Sequence, residues 1–169
     1  NQGYLYILRN LLERLRKFNP NAYIMVENCG DIYGAYTWGN LTWNGADYDE
    51  HYNVFKYTFP EFVQVNMVNP RGWEPNAEKQ MEWLHKDLQR AALLGNIFWL
   101  GITTRLADAE NDSTRYARAA LGFRKAIQPL LEEAEFLDDQ LILAASSGCD
   151  ATSWRLADGS WMVLAGNHA

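Results

Sequence analysis

Two hydrophobic periods alternate along this chain. Tyr4, Leu8, Leu11, Leu15 and Phe18 recur at steps of four and three, Leu5 and Leu12 widen the stripe, and charges fill the opposite side. This predicts an amphipathic helix, ended by Asn19 and Pro20. Ala22 to Val26 is then a continuous apolar run, which predicts a buried strand covered on both faces, as in a parallel sheet. The run stops at Glu27. The acidic segment Asp47 to His51 predicts a short helix reaching about Tyr57, its acids stabilised by the helix dipole. After Pro60, Phe62 to Val68 reads as a second strand, rich in β-branched residues. Asn76 can cap the next helix, in which Ala77, Met81, Leu84, Leu88 and Ala91 form the buried stripe and Gly95 supplies the stop. Ile97 to Ile102 reads as a third strand. A long helix follows with Tyr116, Ala120, Phe123 and Ile127 on one face, and Pro129 is expected to kink or restart it.

Strands and helices thus alternate, with strand starts about 35 to 40 residues apart, which implies an α/β class with parallel strands and right-handed crossovers. After Leu137 the grammar changes. Leu141 to Ala145, Thr152 to Leu156 and Ser160 to Leu164 read as short strands, the last two joined as a hairpin by the Asp158-Gly159 turn. A boundary is therefore expected near 137, with residues 1–137 forming one domain and 138–169 beginning a second, antiparallel β domain. Three parallel strands cannot cover their own edges. The chain is accordingly read as part of a longer protein, its partner being the remainder of its own sheet.

Composition changes this picture only by exclusion. The 169 residues are 48% hydrophobic and 21% charged, with a formal net charge of -6. The basic residues form no dense patch: Arg9, Arg14, Arg16 and Lys17 sit at helical spacing and read as a solvated face. Nucleic acid and anionic membrane are disfavoured as partners, and no apolar run is long enough to span a bilayer. Cys29 and Cys149 match no zinc or redox spacing and assign no compartment. No metal-ligand spacing, dinucleotide fingerprint, phosphate loop or nucleophile elbow is present, so neither metal nor cofactor is expected.

The chemistry sits where the expected strands end. Glu27 and Asp31 follow the first, Asn66 and Arg71 the second, Thr103 and Arg105 the third. Tyr33, Tyr36, Trp38 and Trp43 are interleaved with glycines after the first strand, and Trp73 stands beside Arg71 after the second. Aromatic rings beside carboxylates on a long loop suggest a binding site. Strand C-terminal ends are where (β/α)8 barrels build their active sites.

The run Val26-Glu27-Asn28-Cys29-Gly30-Asp31, the later Asn69-Pro70-Arg71-Gly72-Trp73 loop, a last helix and the Trp154 to Trp161 hairpin together resemble the C-terminal portion of a glycoside hydrolase (β/α)8 TIM barrel followed by the start of its β-sandwich domain. The plan is similar to that of α-galactosidase-like barrels and of bacterial glycosyl hydrolases of unassigned substrate. The resemblance implies a carbohydrate substrate and a carboxylate pair, with Glu27 or Asp31 as one member and the second outside this chain. It implies Tyr36, Trp38, Asn66, Arg71, Trp73 and Arg105 as substrate-binding residues. Glycosidic cleavage needs two carboxyl groups, about 5 Å apart for retention or roughly 6.5–9.5 Å for inversion. Aromatic surroundings would desolvate such an acid and favour its protonated form.

Each residue also has a plainer reading. Glu27 could be a strand-end acid bonded to backbone or to an arginine, and Asp31 an Asx turn beside Gly30. Arg105 could pair with Asp108 or Glu110. Trp83 and Trp99 are expected in the core, and His51 and His85 as bystanders. Two other classes stay open: a non-catalytic carbohydrate-binding or scaffold barrel, and a doubly wound α/β binding domain.

Overall fold

The computed structural model describes residues 2–27, 31–42, 49–60, 62–68, 76–100 and 112–167. Helix α1 is Gln2–Phe18, followed by strand β1, Met25–Glu27, a 3-10 helix, Asp31–Tyr36, and strand β2, Gly39–Thr42. Helix α2, Asp49–Thr58, leads to β3, Val63–Val68; helix α3, Ala77–Leu93, leads to β4, Ile97–Leu100. Helix α4, Asp112–Leu131, is followed by β5, Glu135–Asp138, β6, Cys149–Arg155, and β7, Trp161–Asn167.

The chain is thus α/β, with two sheets among the described residues. The first has four strands in the order β1-β2-β3-β4, every neighbouring pair parallel. Its register aligns Glu27 with Leu41, Leu41 with Val65 and Val65 with Ile97. Because side chains alternate along a strand, Asn66, Val68, Phe98 and Leu100 share one face. That face meets the helices: Val68, Leu84 and Leu88 form a buried cluster on which Met81, Phe98, Leu100, Tyr116 and Ala120 pack. The opposite face carries Met25, Glu27, Leu41, Val65, Ile97 and Trp99. Leu41 and Val65 at its centre are buried, whereas Met25 (40%), Ile97 (40%) and Trp99 (47%) at its flanks are largely exposed.

The second sheet, β5-β6-β7, is antiparallel. Phe136, Trp154 and Leu164 from its strands bury with Leu93 and Leu94 at the end of α3 and Ile127 of α4. A hydrogen-bond relay fixes this junction. Trp154 Nε1 donates to Thr152 Oγ1 at 3.2 Å, and the Thr152 hydroxyl donates to the Leu93 carbonyl at 2.6 Å. It thereby satisfies one of the carbonyls that a helix C-terminus leaves unpaired. The β6–β7 hairpin turns through Gly159 at φ 81°, with Ser160 N and Oγ both donating to Asp158 Oδ1. This is the Asp-Gly turn anticipated from sequence.

Local signals explain several boundaries. The Asn76 side chain accepts from Glu78 N and Lys79 N, capping α3, and Gly95 ends it at φ 64°. A Cβ on Gly95 would lie 2.9 Å from Trp154 Cη2, so space as well as conformation demands glycine. Gly34 is similarly confined, since a Cβ there would fall 1.6 Å from Phe62 Cζ.

Other expectations are corrected. The strand from Ala22 is only Met25–Glu27, and it is an exposed edge, not a doubly covered strand. Gly39–Thr42, read as loop, is a strand, so the parallel sheet has four strands among the described residues. Leu141 to Ala145 forms turns and coil; the strand is Glu135–Asp138, which spans the expected boundary at 137. Helix α4 does not restart at Pro129 but continues through it and ends two residues later. In α1 only Leu8 and Leu12 are buried, while Tyr4, Leu11 and Leu15 are exposed and Phe18 is 91% exposed. Trp99 is half exposed and not in the core.

His85, expected to be a surface bystander, lies against Tyr116 with ring centroids 3.9 Å apart, joining α3 to α4. Burial holds its pKa below the ordinary histidine value, against an opposing pull from Asp112. The unfolded chain is then the better proton acceptor, so stability should fall as pH drops through about 6.5. We expect His85→Phe, which keeps a ring on Tyr116, to lose less stability than the wild type between about pH 7.5 and about pH 5. Urea midpoints at the two pH values measure this; equal losses would assign the acid sensitivity elsewhere.

Candidate functional site

Glu27 closes β1 at its C-terminal end and is solvent-exposed. It is not enclosed by the aromatic segment that follows it in sequence. The backbone of Asp31 opens the 3-10 helix, and its side chain lies outside the described residues. Arg71, Trp73 and Arg105 also lie outside them, as does Cys29. Asn66 sits within β3, not in a strand-end loop. Its side chain is buried, with Oδ1 accepting from Asn96 Nδ2 at 2.6 Å on the helix-facing side.

Trp38 and Tyr36 come together, but at the other end of the sheet. Trp38 precedes β2, its N–H donating to Ile24 O at 2.9 Å and its carbonyl accepting from Val63 N at 3.4 Å. It therefore stands level with Ile24, three residues before Glu27 along β1, a separation of about 10 Å at the strand rise of roughly 3.3 Å per residue. The sequence placed Trp38 with Glu27 at the strand C-termini; the structure puts it at the N-termini. The reason is β2: the aromatic segment is the crossover between two parallel strands, and its far end must return to the starting edge of the sheet.

There Trp38 helps to form a cleft of about 390 Å³ between α1, the entry to β1 and the 3-10 helix. Tyr23 and Trp38 meet with ring centroids 4.7 Å apart at 44°. Tyr36, Arg16 and Asn21 contribute to the polar part of the lining, and Leu12 and Ile24 to the apolar part. The Arg16 guanidinium is tethered by Nε donating to the Ala22 carbonyl at 3.3 Å. The cleft is anchored to α1 by an edge-on contact of Tyr4 and Tyr33, centroids 4.9 Å apart. Its volume lies within the range of small-molecule sites, and its composition, a few placed polar groups among aromatic rings, is what such sites use. Sequence reasoning named Tyr36 and Trp38 but missed Arg16 and Tyr23. Arg16 carries only the signal of a solvated helix face, and Tyr23 was absorbed into the apolar run.

Among the described residues, no group of three histidine, cysteine or acidic side chains is placed to hold a metal, and no helix is long and apolar enough to cross a membrane. Comparison with models of protein families, with curated proteins and with solved structures finds no match to this chain.

Proposed function

We propose that the chain forms the later part of a (β/α)8 barrel of a glycoside hydrolase, to which it contributes Glu27 as one member of the carboxylate pair. The observation that supports this most is the strand order. Four consecutive parallel strands, β1-β2-β3-β4, follow one another without a reversal. A doubly wound sheet reverses at its switch point, whereas a barrel runs on around its axis. Burial agrees with that reading: α3 and α4 cover one face, and the other is shielded at Leu41 and Val65 and open at Met25, Ile97 and Trp99. A barrel places its chemistry at strand C-terminal ends. The last residues of the four strands are Glu27, Thr42, Val68 and Leu100, so Glu27 is the acid at those positions, and Asp31 is the next candidate along the chain.

The Tyr23–Trp38 cleft favours a second reading, a non-catalytic carbohydrate-binding barrel. Flat rings pack against the apolar faces of sugars, and Arg16 and Asn21 would donate to hydroxyls. Glu27 and the cleft lie at opposite ends of the sheet, so the two readings separate experimentally. In the full-length protein, Glu27→Gln should lower kcat on a glycoside at least about 100-fold with the fold intact, the usual range for a general acid or base. Under the binding reading, Trp38→Ala should instead weaken glycan binding by roughly 1–3 kcal/mol. Unchanged kcat in Glu27→Gln, with activity lost in Asp31→Asn, would transfer the role to Asp31. Full activity in both would remove this chain from the chemistry.

A further inference from the structure

A second cavity, of about 180 Å³, lies where α2, the α3–β4 corner, α4 and the antiparallel sheet converge. Among the described residues its charged lining consists of Lys56 from α2, Arg124 from α4 and Glu132 just beyond α4, with Gly95, Gln128 and Trp154 among its neutral walls. We propose that this cavity binds a small oxyanion, a phosphate or a carboxylate, held between Lys56 and Arg124.

Among the described residues, Lys56 and Arg124 line the cavity and neither makes an ion pair. Arg124 is committed to backbone: Nε donates to Asn96 O at 3.0 Å and Nη2 to Gly95 O at 3.1 Å. These bonds fix the guanidinium but neutralise none of its charge. Its Nη1 is shielded from solvent and has no hydrogen-bond partner among the described residues. Lys56 Nζ stands 5.9 Å from the Trp154 ring centroid and makes no ion pair among those residues. Burial and the neighbouring Arg124 push the Lys56 pKa down to about 8. Glu132, the one acid in the lining among the described residues, is exposed.

Two like charges facing one small cavity disfavour each other and favour an anion between them. Lys supplies a point charge and Arg a fixed, always-charged fork, a pairing suited to carboxylate and phosphate oxygens. The volume holds a small anion with its residual water but falls below the usual range for a drug-sized ligand.

The test is titration of the full chain with inorganic phosphate and, separately, with acetate, against chloride at matched ionic strength, followed by calorimetry and by the Lys56 side-chain NMR signal. Saturable binding by phosphate alone would identify a tetrahedral-anion site, and by acetate a carboxylate site; either supports the proposal. Lys56→Met should weaken the binding about tenfold or more, the worth of one charge-assisted hydrogen bond, and Lys56→Arg should retain most of it. With acetate, affinity should fall as pH rises past about 8. If neither anion binds beyond the chloride control, or if binding is unchanged in a folded Lys56→Met variant, the proposal is wrong.

Discussion

Trp154→Ala should cost about 3–5 kcal/mol of folding stability, the range for truncating a fully buried tryptophan. Trp154 is 2% exposed and is the largest side chain of the cluster formed with Leu93, Leu94, Ile127, Phe136 and Leu164. Its ring meets Phe136 edge-on with centroids 4.8 Å apart. Removing it leaves a cavity, strips the Thr152 hydroxyl of a donor and takes the wall from behind Gly95. Domains of this size are stable by only about 5–15 kcal/mol, so the variant should be close to unfolding at physiological temperature. Guanidinium unfolding followed by circular dichroism reports this without relying on the deleted fluorophore. A loss below about 1 kcal/mol would mean that the β5-β6-β7 sheet is not held to α3 and α4 through this residue.

Lys56→Met should act in the opposite direction. In buffer free of oxyanions at neutral pH it is expected to stabilise the fold by about 1–2 kcal/mol. The shift from 10.5 to about 8 sets a ceiling of about 3 kcal/mol at about 1.4 kcal/mol per pH unit. Against this stands the contact with the Trp154 ring, worth about 0.5–1 kcal/mol. Methionine keeps the apolar stem. The sign follows from proton counting: the folded value is depressed, so between about pH 8 and 10.5 the unfolded chain binds the extra proton and wild-type stability climbs with pH. Below about pH 8 the full penalty is present. The variant should lack the climb, and the wild-type minus variant difference isolates it from the tyrosines that titrate nearby. Added phosphate should narrow or reverse the gap. A neutral or destabilising substitution in oxyanion-free buffer would show that Lys56 is adequately solvated.

How far the sequence could be read follows from which interactions set each element. The α3 boundaries were legible because Asn76 and Gly95 act locally, on backbone groups within a few residues of themselves. The β6–β7 hairpin was legible for the same reason, through Asp158 and Gly159. Strand β2 was not: Gly39, Asn40, Leu41 and Thr42 have one strongly apolar member and open on a glycine, and only pairing on both sides makes them a strand. Leu141 to Ala145 failed in the converse way, since an apolar run carries no information about whether a partner strand is within reach. Glu135–Asp138 took that role because it pairs with Ser153, Trp154 and Arg155, and Arg155 Nε donates to Glu135 Oε2 at 2.9 Å. Missing β2 had a further effect, because it put Trp38 at the wrong end of the sheet. The Lys56–Arg124 cavity left no trace in sequence, as both residues sit at ordinary polar positions of amphipathic helices.

The sequential strand order also bears on how the sheet assembles in time. Among the described residues, every pairing in this sheet joins strands consecutive in the chain, across 14 residues from Met25 to Gly39, 24 from Gly39 to Val63 and 32 from Val65 to Ile97. Closure entropy rises only logarithmically with such spans, so the longest costs about 0.7 kcal/mol more than the shortest. Among these four strands, no pairing waits for a distant segment to be synthesised. A growing chain can add β2 to β1, then β3, then β4, as each leaves the ribosome, so the edge at which these strands are added is always the newest strand.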